Sequence, residues 1–372
     1  MFDSPISAVI SVDTDGEALH FFTEGVGQKP NVLSAGFRSN RFDEDFFQRF
    51  DKLLKGYIQK NSAAALAKTS IVLPDHIFLK DLVNVPTIGK RAMENSVELA
   101  VSTVYKNKKE LKYVTYPLAQ NKQFATYGLV GVRKDILEQL RAVCAANQVG
   151  VQNVTFAANA MVNGALTVNS KLKNATFLLL DVQEKSARFA FVNKGRTVGS
   201  YSLPFGANML YKTRIAAEDL LFDHATAELL VLNAKEKAKA KQLTMMGEEV
   251  LADTDEMAQE DGDEGGKSGR RLPKFMQRDV PHTSEGFVFE NFRIFMKWAL
   301  KLIAGNSNIT ALGDVDTVYV NVPSAYHFVF DMANAEAAES KVKFLPLSDG
   351  DKGNLEFLGA LYTKQYNKVN NF

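Results

Sequence analysis

Residues 177–195 read FLLLDVQEKSARFAFVNKG. An apolar strand ends on Asp181, a polar turn follows, a second strand returns, and Asn193, Lys194 and Gly195 make another turn. Strand, aspartate, tight turn and strand is how several nucleotide-binding folds hold a phosphate, yet this turn contains no glycine. The stretch admits three readings: a working phosphate loop, a worn one, or an ordinary hairpin.

The rest of the chain supplies the frame. At 372 residues it can build more than one core, since domains run to roughly 100–200 residues. AVISV and EALHFF alternate around Asp13-Thr14-Asp15-Gly16, a hairpin pattern, because Asp-Gly tolerates the positive φ of a tight turn. NVLSAGF reads as a third strand. In RFDEDFFQRFDKLLKGYIQK the residues Phe46, Phe47, Phe50, Leu53, Leu54, Tyr57 and Ile58 recur at helical spacing behind early acids. TSIVL is a short buried strand that Pro74 ends. Residues 78–147 then run strand, helix, strand, strand, helix, a small α+β module. VQNVTF and AANAMVNGAL follow as strand and helix before the opening hairpin, and a helix-rich stretch covers 208–241. Residues 246–275 turn acidic, then basic, with few large apolar groups, and are expected to be a disordered insertion, because such composition cannot offset its ordering entropy. A long helix with one apolar face (Phe292, Phe295, Ala299, Leu302, Ile303) stops at Gly305, with Trp298 expected to pack beside it. Strand DTVYVN, helix DMANAEAAES, strand KVKFLPL and a last helix LEFLGALYTKQYNK complete the pattern. Strands alternating with helices predict an α/β architecture with two sheets.

Several chemistries have no support. Charged residues are 23% of the chain and the net charge is +1, which gives no electrostatic reason for nucleic acid or anionic lipid as the main partner. No basic leader precedes an apolar core at the amino terminus, and FLLLDV is far short of a membrane span, so a cytoplasmic protein without direct membrane insertion is expected. Cys144 is the only cysteine, on a helical pattern that reads as buried packing. His20, His76, His224, His282 and His327 lack ligand spacing, so no metal site is expected. Gly266-Lys267-Ser268 is not a P-loop, because position 261 is Asp where the first glycine belongs.

The order of elements resembles the actin-like ATPase superfamily, in the branch that holds FtsA and the type IV pilus assembly protein PilM. TYGLVGVRKDILEQLRAVCAANQVGVQNVTFAANAMVNGAL carries the resemblance best, and IVLPDHIFLKDLVNVP with the acid-bearing helix after it is similar to the family's entry into a small inserted subdomain. The resemblance implies an actin-like (RNase H-like) two-domain fold: domain I over 1–77 and 150–176, the inserted α+β subdomain over 78–149, domain II over 177–349 with the insertion at about 246–275, and a closing helix over 350–372 that returns to domain I.

That family cradles ATP and magnesium with two Asp-x-Gly hairpins and a glycine-rich adenosine turn, because a backbone without Cβ can bring its N–H groups onto phosphate. Here each implied contact is altered. At the first hairpin, beside Asp13, Asp15 stands in the glycine position and Gly16 comes one residue late. At the second, Gln183 replaces the glycine after Asp181. The apolar-Pro-apolar-Gly-Gly run keeps one glycine, Gly206. The nucleoside-contacting Ala-Glu-x-x-Lys pattern falls on Ala227, Glu228 and Val231, and the adenosine turn falls on Val322, Pro323 and Ser324. These nine altered or remaining positions, Asp13, Asp15, Gly16, Asp181, Gln183, Gly206, Glu228, Pro323 and Ser324, outline a vestigial nucleotide cleft, so the expectation is a pseudoATPase with no cofactor and no catalytic residue. The resemblance implies a non-catalytic adaptor of a type IV pilus or related secretion platform. Its partner would be a single-span inner-membrane protein, whose cytoplasmic tail would lie between the first domain and the small subdomain, with other platform proteins as further partners. Recruitment to the inner face of the membrane follows. An FtsA-like nucleotide-dependent filament protein and an enzyme of the sugar-kinase-like superfamily stand as alternatives.

Overall fold

A computed structural model describes residues 6–13, 18–23, 31–34, 42–61, 63–105, 107–211, 284–305, 314–350, 354–366 and 372. Asp15, Gly16, Glu228 and the acidic stretch 246–275 lie outside the described residues.

Two five-stranded sheets repeat one topology. The first orders its strands β3-β2-β1-β4-β8: Asn31–Ser34, Ala18–Thr23, Ala8–Asp13, Thr69–Leu73 and Val151–Phe156. The second orders them β11-β10-β9-β12-β13: Arg196–Leu203, Ala187–Asn193, Thr176–Val182, Thr317–Asn321 and Lys343–Pro346. In both, three antiparallel strands form one edge and two further strands join in parallel.

The opening hairpin is β9 and β10, and its alternation divides it between two cores. Phe177, Leu179, Ala190 and Val192 pack with the first sheet. Leu178, Leu180, Val182, Phe189 and Phe191 pack with the second body, against the long helix α5 (Ser284–Gly305) and the short helix α6 (Val329–Glu336). Trp298 is part of that packing.

Helix α1 (Glu44–Asn61) covers the first sheet. Asp43 caps it by accepting from the Phe46 amide at 3.1 Å, and Tyr57 stacks on Phe21 with ring centres 4.0 Å apart. The small module is a three-stranded sheet in the order β5-β7-β6: Leu79–Pro86, Phe124–Arg133 and Leu111–Gln120. Helix α2 (Lys90–Val104) lies on it, burying Met93, Val97 and Val101 against Val83, Val85, Ala125 and Leu129. Helix α3 (Lys134–Ala146), which the sequence pattern groups with this module, touches β7 and packs beside α1. Its Ile136, Leu137, Leu140 and Cys144 complete the apolar stripe facing the first core. Burial pushes the Cys144 thiol up to about 12, the environment of a packing residue rather than a nucleophile.

The layer between the sheets is made by α4 (Ala157–Val168), which touches β4 and β8 on one side and β10 and β11 on the other. All ten residues 157–166 are buried; eight are small or apolar, and the two asparagines among them, Asn159 and Asn163, are enclosed as well. Helix α7 (Leu355–Tyr366) returns to the first body and lies along α4. The approach is set by glycine. A Cβ on Gly359 would sit 1.6 Å from the Ala160 carbonyl oxygen, and one on Gly164 would sit 2.0 Å from that of Leu355.

Candidate functional site: the cleft between the two sheets

Asp181, next to last in β9, pairs in parallel register with Asn321 at the end of β12. It is 1% exposed. Burial raises its pKa, opposed by the amide groups of Asn321, which donates at 2.7 Å, and Gln183, at 3.1 Å. The side chain standing where a phosphate loop needs glycine therefore folds back onto the aspartate.

Gly206 is present for a local reason. A Cβ there would meet the Gln183 carbonyl oxygen at 2.1 Å and the Ser186 amide at 2.6 Å. That closeness lets the Ala207 amide donate to the Gln183 carbonyl at 2.6 Å and the Asn208 amide to the Glu184 carbonyl at 2.9 Å, while the Gln183 amide donates to Ser186 at 2.9 Å. Three main-chain donors, the amides of Gln183, Ala207 and Asn208, are thus committed to the turn itself.

On the face of β10 toward the first body stands Arg188, opposite Asp181 in the ladder. Its Nη1 donates to Glu356 on α7 at 3.0 Å, and its Nε lies 3.5 Å from the Asp75 carboxylate, just after β4. Burial works against the charge, but Glu356 and Asp75 outweigh it and raise the guanidinium's pKa. Asp75 also receives the Ala158 amide at 3.2 Å and pairs with Lys80 of β5 at 3.4 Å. The Asp75 carboxylate thus accepts at the start of α4, where helix amides favour an anion. Lys80, whose pKa burial lowers against the pull of Asp75, donates to Ser200 of β11 at 2.7 Å. Glu356 is reached in turn by the hydroxyl of Ser11 on β1. Residues from both sheets, the small module and the closing helix meet around Arg188.

Of the sequence-derived positions, Asp181, Gln183 and Gly206 share one turn. Asp13 ends β1 at the tip of the first hairpin, paired with Ala18. Pro323 and Ser324 are exposed just beyond β12, where the Pro323 carbonyl accepts from the Tyr326 amide at 2.9 Å in place of a glycine-rich turn. Asp15, Gly16 and Glu228 fall outside the described residues. Arg188, Asp75, Glu356 and Lys80 were missed by sequence reasoning. Arg188 had one usable signal, a charge at an inward position of a strand otherwise apolar on that face. Among the described residues no three His, Cys, Asp or Glu side chains gather as a metal-holding group.

No protein-family model matches the chain, and no curated protein matches it. Solved structures do. The PilM-PilN type IV pilus biogenesis complex is similar at TM-score 0.50 and 10% identity, over 96% of this chain and 98% of that one. MreB 5 of Spiroplasma citri bound to AMPPNP gives 0.41 and 12% over 97% and 96%, and the cytoplasmic domain of EpsL, an inner membrane component of the type II secretion system of Vibrio cholerae, gives 0.33 and 10% over 53% and 70%. With its twofold repeat of one sheet topology and a small module between strands of the first sheet, the chain has the actin-like fold, similar to that of the PilM-PilN complex structure.

Proposed function

We propose that the protein is a non-catalytic, PilM-like adaptor of a type IV pilus or related secretion platform, with a cleft that serves as scaffold. The observation that carries this reading is the filling of the cleft. Asp181 is held by Asn321 and Gln183, the amides beside Gly206 are spent on the hairpin turn, and Arg188 is neutralised by Glu356 and Asp75. A triphosphate would have to break these contacts, and two carboxylates would remain beside it. The residues present do not fit ATP and magnesium.

The adaptor half of the proposal draws on the likeness to PilM in its complex with PilN. The partner is a membrane protein of the platform, bound through the cytoplasmic tail of its single span in the groove between the first body and the small module. An extended tail gains main-chain hydrogen bonds and a few apolar anchors there without any cofactor. Among the described residues no helix is long and apolar enough to cross a membrane, so attachment at the inner face of the membrane comes through that partner.

Calorimetric titration of the purified protein with Mg-ATP tests the first half: heat no greater than dilution is expected, and a micromolar site would favour a nucleotide-dependent filament protein instead. Immunoprecipitation from solubilised membranes tests the second: a single-span protein is expected, and its recovery should be lost when its cytoplasmic tail is deleted.

A further inference from the structure

A cavity of about 410 Å³ opens between the small module and the second sheet. Its size falls within the ~300–1,000 Å³ of ligand sites. One wall is residues 117–120 of β6 with Ala125 and Tyr127 of β7, and the other is the β10–β11 turn, with Asn193, Lys194 and Arg196.

Three features say what would fit. The first is charge: the lining carries two cations and no carboxylate. Lys194 is exposed, presented by a tight turn in which it and Gly195 take φ of 48° and 75°. Arg196 is fixed in place, its guanidinium over the Tyr116 ring at 5.2 Å and its Nη1 donating to the Pro117 carbonyl at 2.7 Å. A guanidinium has five N–H donors in a planar fork that matches a carboxylate.

The second feature is a strand edge. Among the described residues β6 pairs only with β7, so its far side is an open edge of the three-stranded sheet. The Pro117 carbonyl faces outward from β6 into the cavity, where it accepts from Arg196. Proline at this place costs no ladder bond, since its missing N–H would have faced the unpaired side. A register shift between Pro117 and Ala119 interrupts the ladder at Leu118. The third feature is the apolar share of the wall, from Leu118, Ala119 and Ala125.

We propose that this cavity binds an extended peptide segment bearing a carboxylate, laid along the open edge of β6 with its acid on Lys194 and Arg196. Added-strand recognition supplies main-chain bonds and leaves selectivity to the side chains that meet the wall. The site is separate from the groove between the first body and the small module, and it stands or falls independently of the adaptor reading.

A peptide-display selection with the whole protein as bait tests it. The enriched peptides should carry Asp or Glu beside β-branched or aromatic residues. A synthetic copy of the leading peptide, followed by fluorescence anisotropy, should bind the K194N/R196Q variant at least about tenfold more weakly than the original, the loss of charged hydrogen bonds of ~1.5–3 kcal/mol. Circular dichroism checks that this variant folds. If it does not, K194N alone, which keeps the Arg196 contacts and places an αL-tolerant residue in the turn, should still weaken binding severalfold. No enrichment, winners without an acid, or an acidic peptide that binds original and variant alike would overturn the proposal.

Discussion

Arg188 and Arg133 each hold a carboxylate, in two settings. In the cleft, Arg188 lies between Glu356 and Asp75 with side chains only 21%, 10% and 17% exposed. At the end of β7, Arg133 grips Asp135 with 63% and 47% exposed. The small module repeats the open case with Tyr113 donating to Glu98 at 2.8 Å and Tyr105 to Asp81 at 2.9 Å. Water screens those outer pairs and would replace either partner, whereas in the cleft each group depends on the other. The same chemistry is structural inside and nearly neutral outside.

The helix seam inside the cleft gives the largest expected break. Gly359→Ala drives a methyl into the Ala160 carbonyl and the α4 backbone, which a flexible side chain cannot relieve. A loss above ~4 kcal/mol is expected, the exceptional range for one substitution, read by denaturant unfolding of whatever folded protein is recovered. Its counterpart on the outer helix, Gly56→Ala in α1, meets open space and should stabilise by about 0.5–1 kcal/mol.

Next comes the arginine pair itself. Arg188→Ala leaves two carboxylates facing each other and should cost about 3 kcal/mol, the lower end for a broken buried pair because a fifth of the side chain meets water. Arg133→Ala should cost under about 1 kcal/mol. Equal losses in the two variants, measured by urea unfolding, would erase the distinction between inside and outside.

The smallest effect sharpens the outer face. Burial, then hydrogen bonding to Asp81 and Glu98, pushes Tyr105 and Tyr113 from 10.0 up to about 12. Their phenols stay neutral in the fold after the unfolded chain has begun to ionise. Their contribution is therefore complete below pH 10.0 and fades as pH rises toward about 12. Titration of tyrosinate absorbance should show a late component that disappears in the Tyr105→Phe/Tyr113→Phe variant.

Much of this architecture could be read in the residues. Apolar periodicity marks α1 and α5, Pro74 marks the end of β4, and the run from β5 to α4 follows its pattern element by element, because each signal is local. The cleft was legible where chemistry depends on one short motif, as at Asp181, Gln183 and Gly206. It was not legible where partners lie far apart: Arg188 and Glu356 are separated by 168 positions, and nothing near Glu356 announces a buried cation. The glycine seam left a faint trace, since Ala160 and Gly164 stand four apart on α4, a spacing of small residues that lets backbones close. Without knowing that α7 crosses there, that spacing has no partner.

Because α7 comes after every strand of both sheets, the central layer lacks one of its two helices until translation has passed residue 366. A nascent chain still on the ribosome would carry both sheets with the buried flank of α4 uncovered, an adhesive surface of the kind that chaperones occupy. Closure of the layer therefore waits for α7, which sews the earlier elements together.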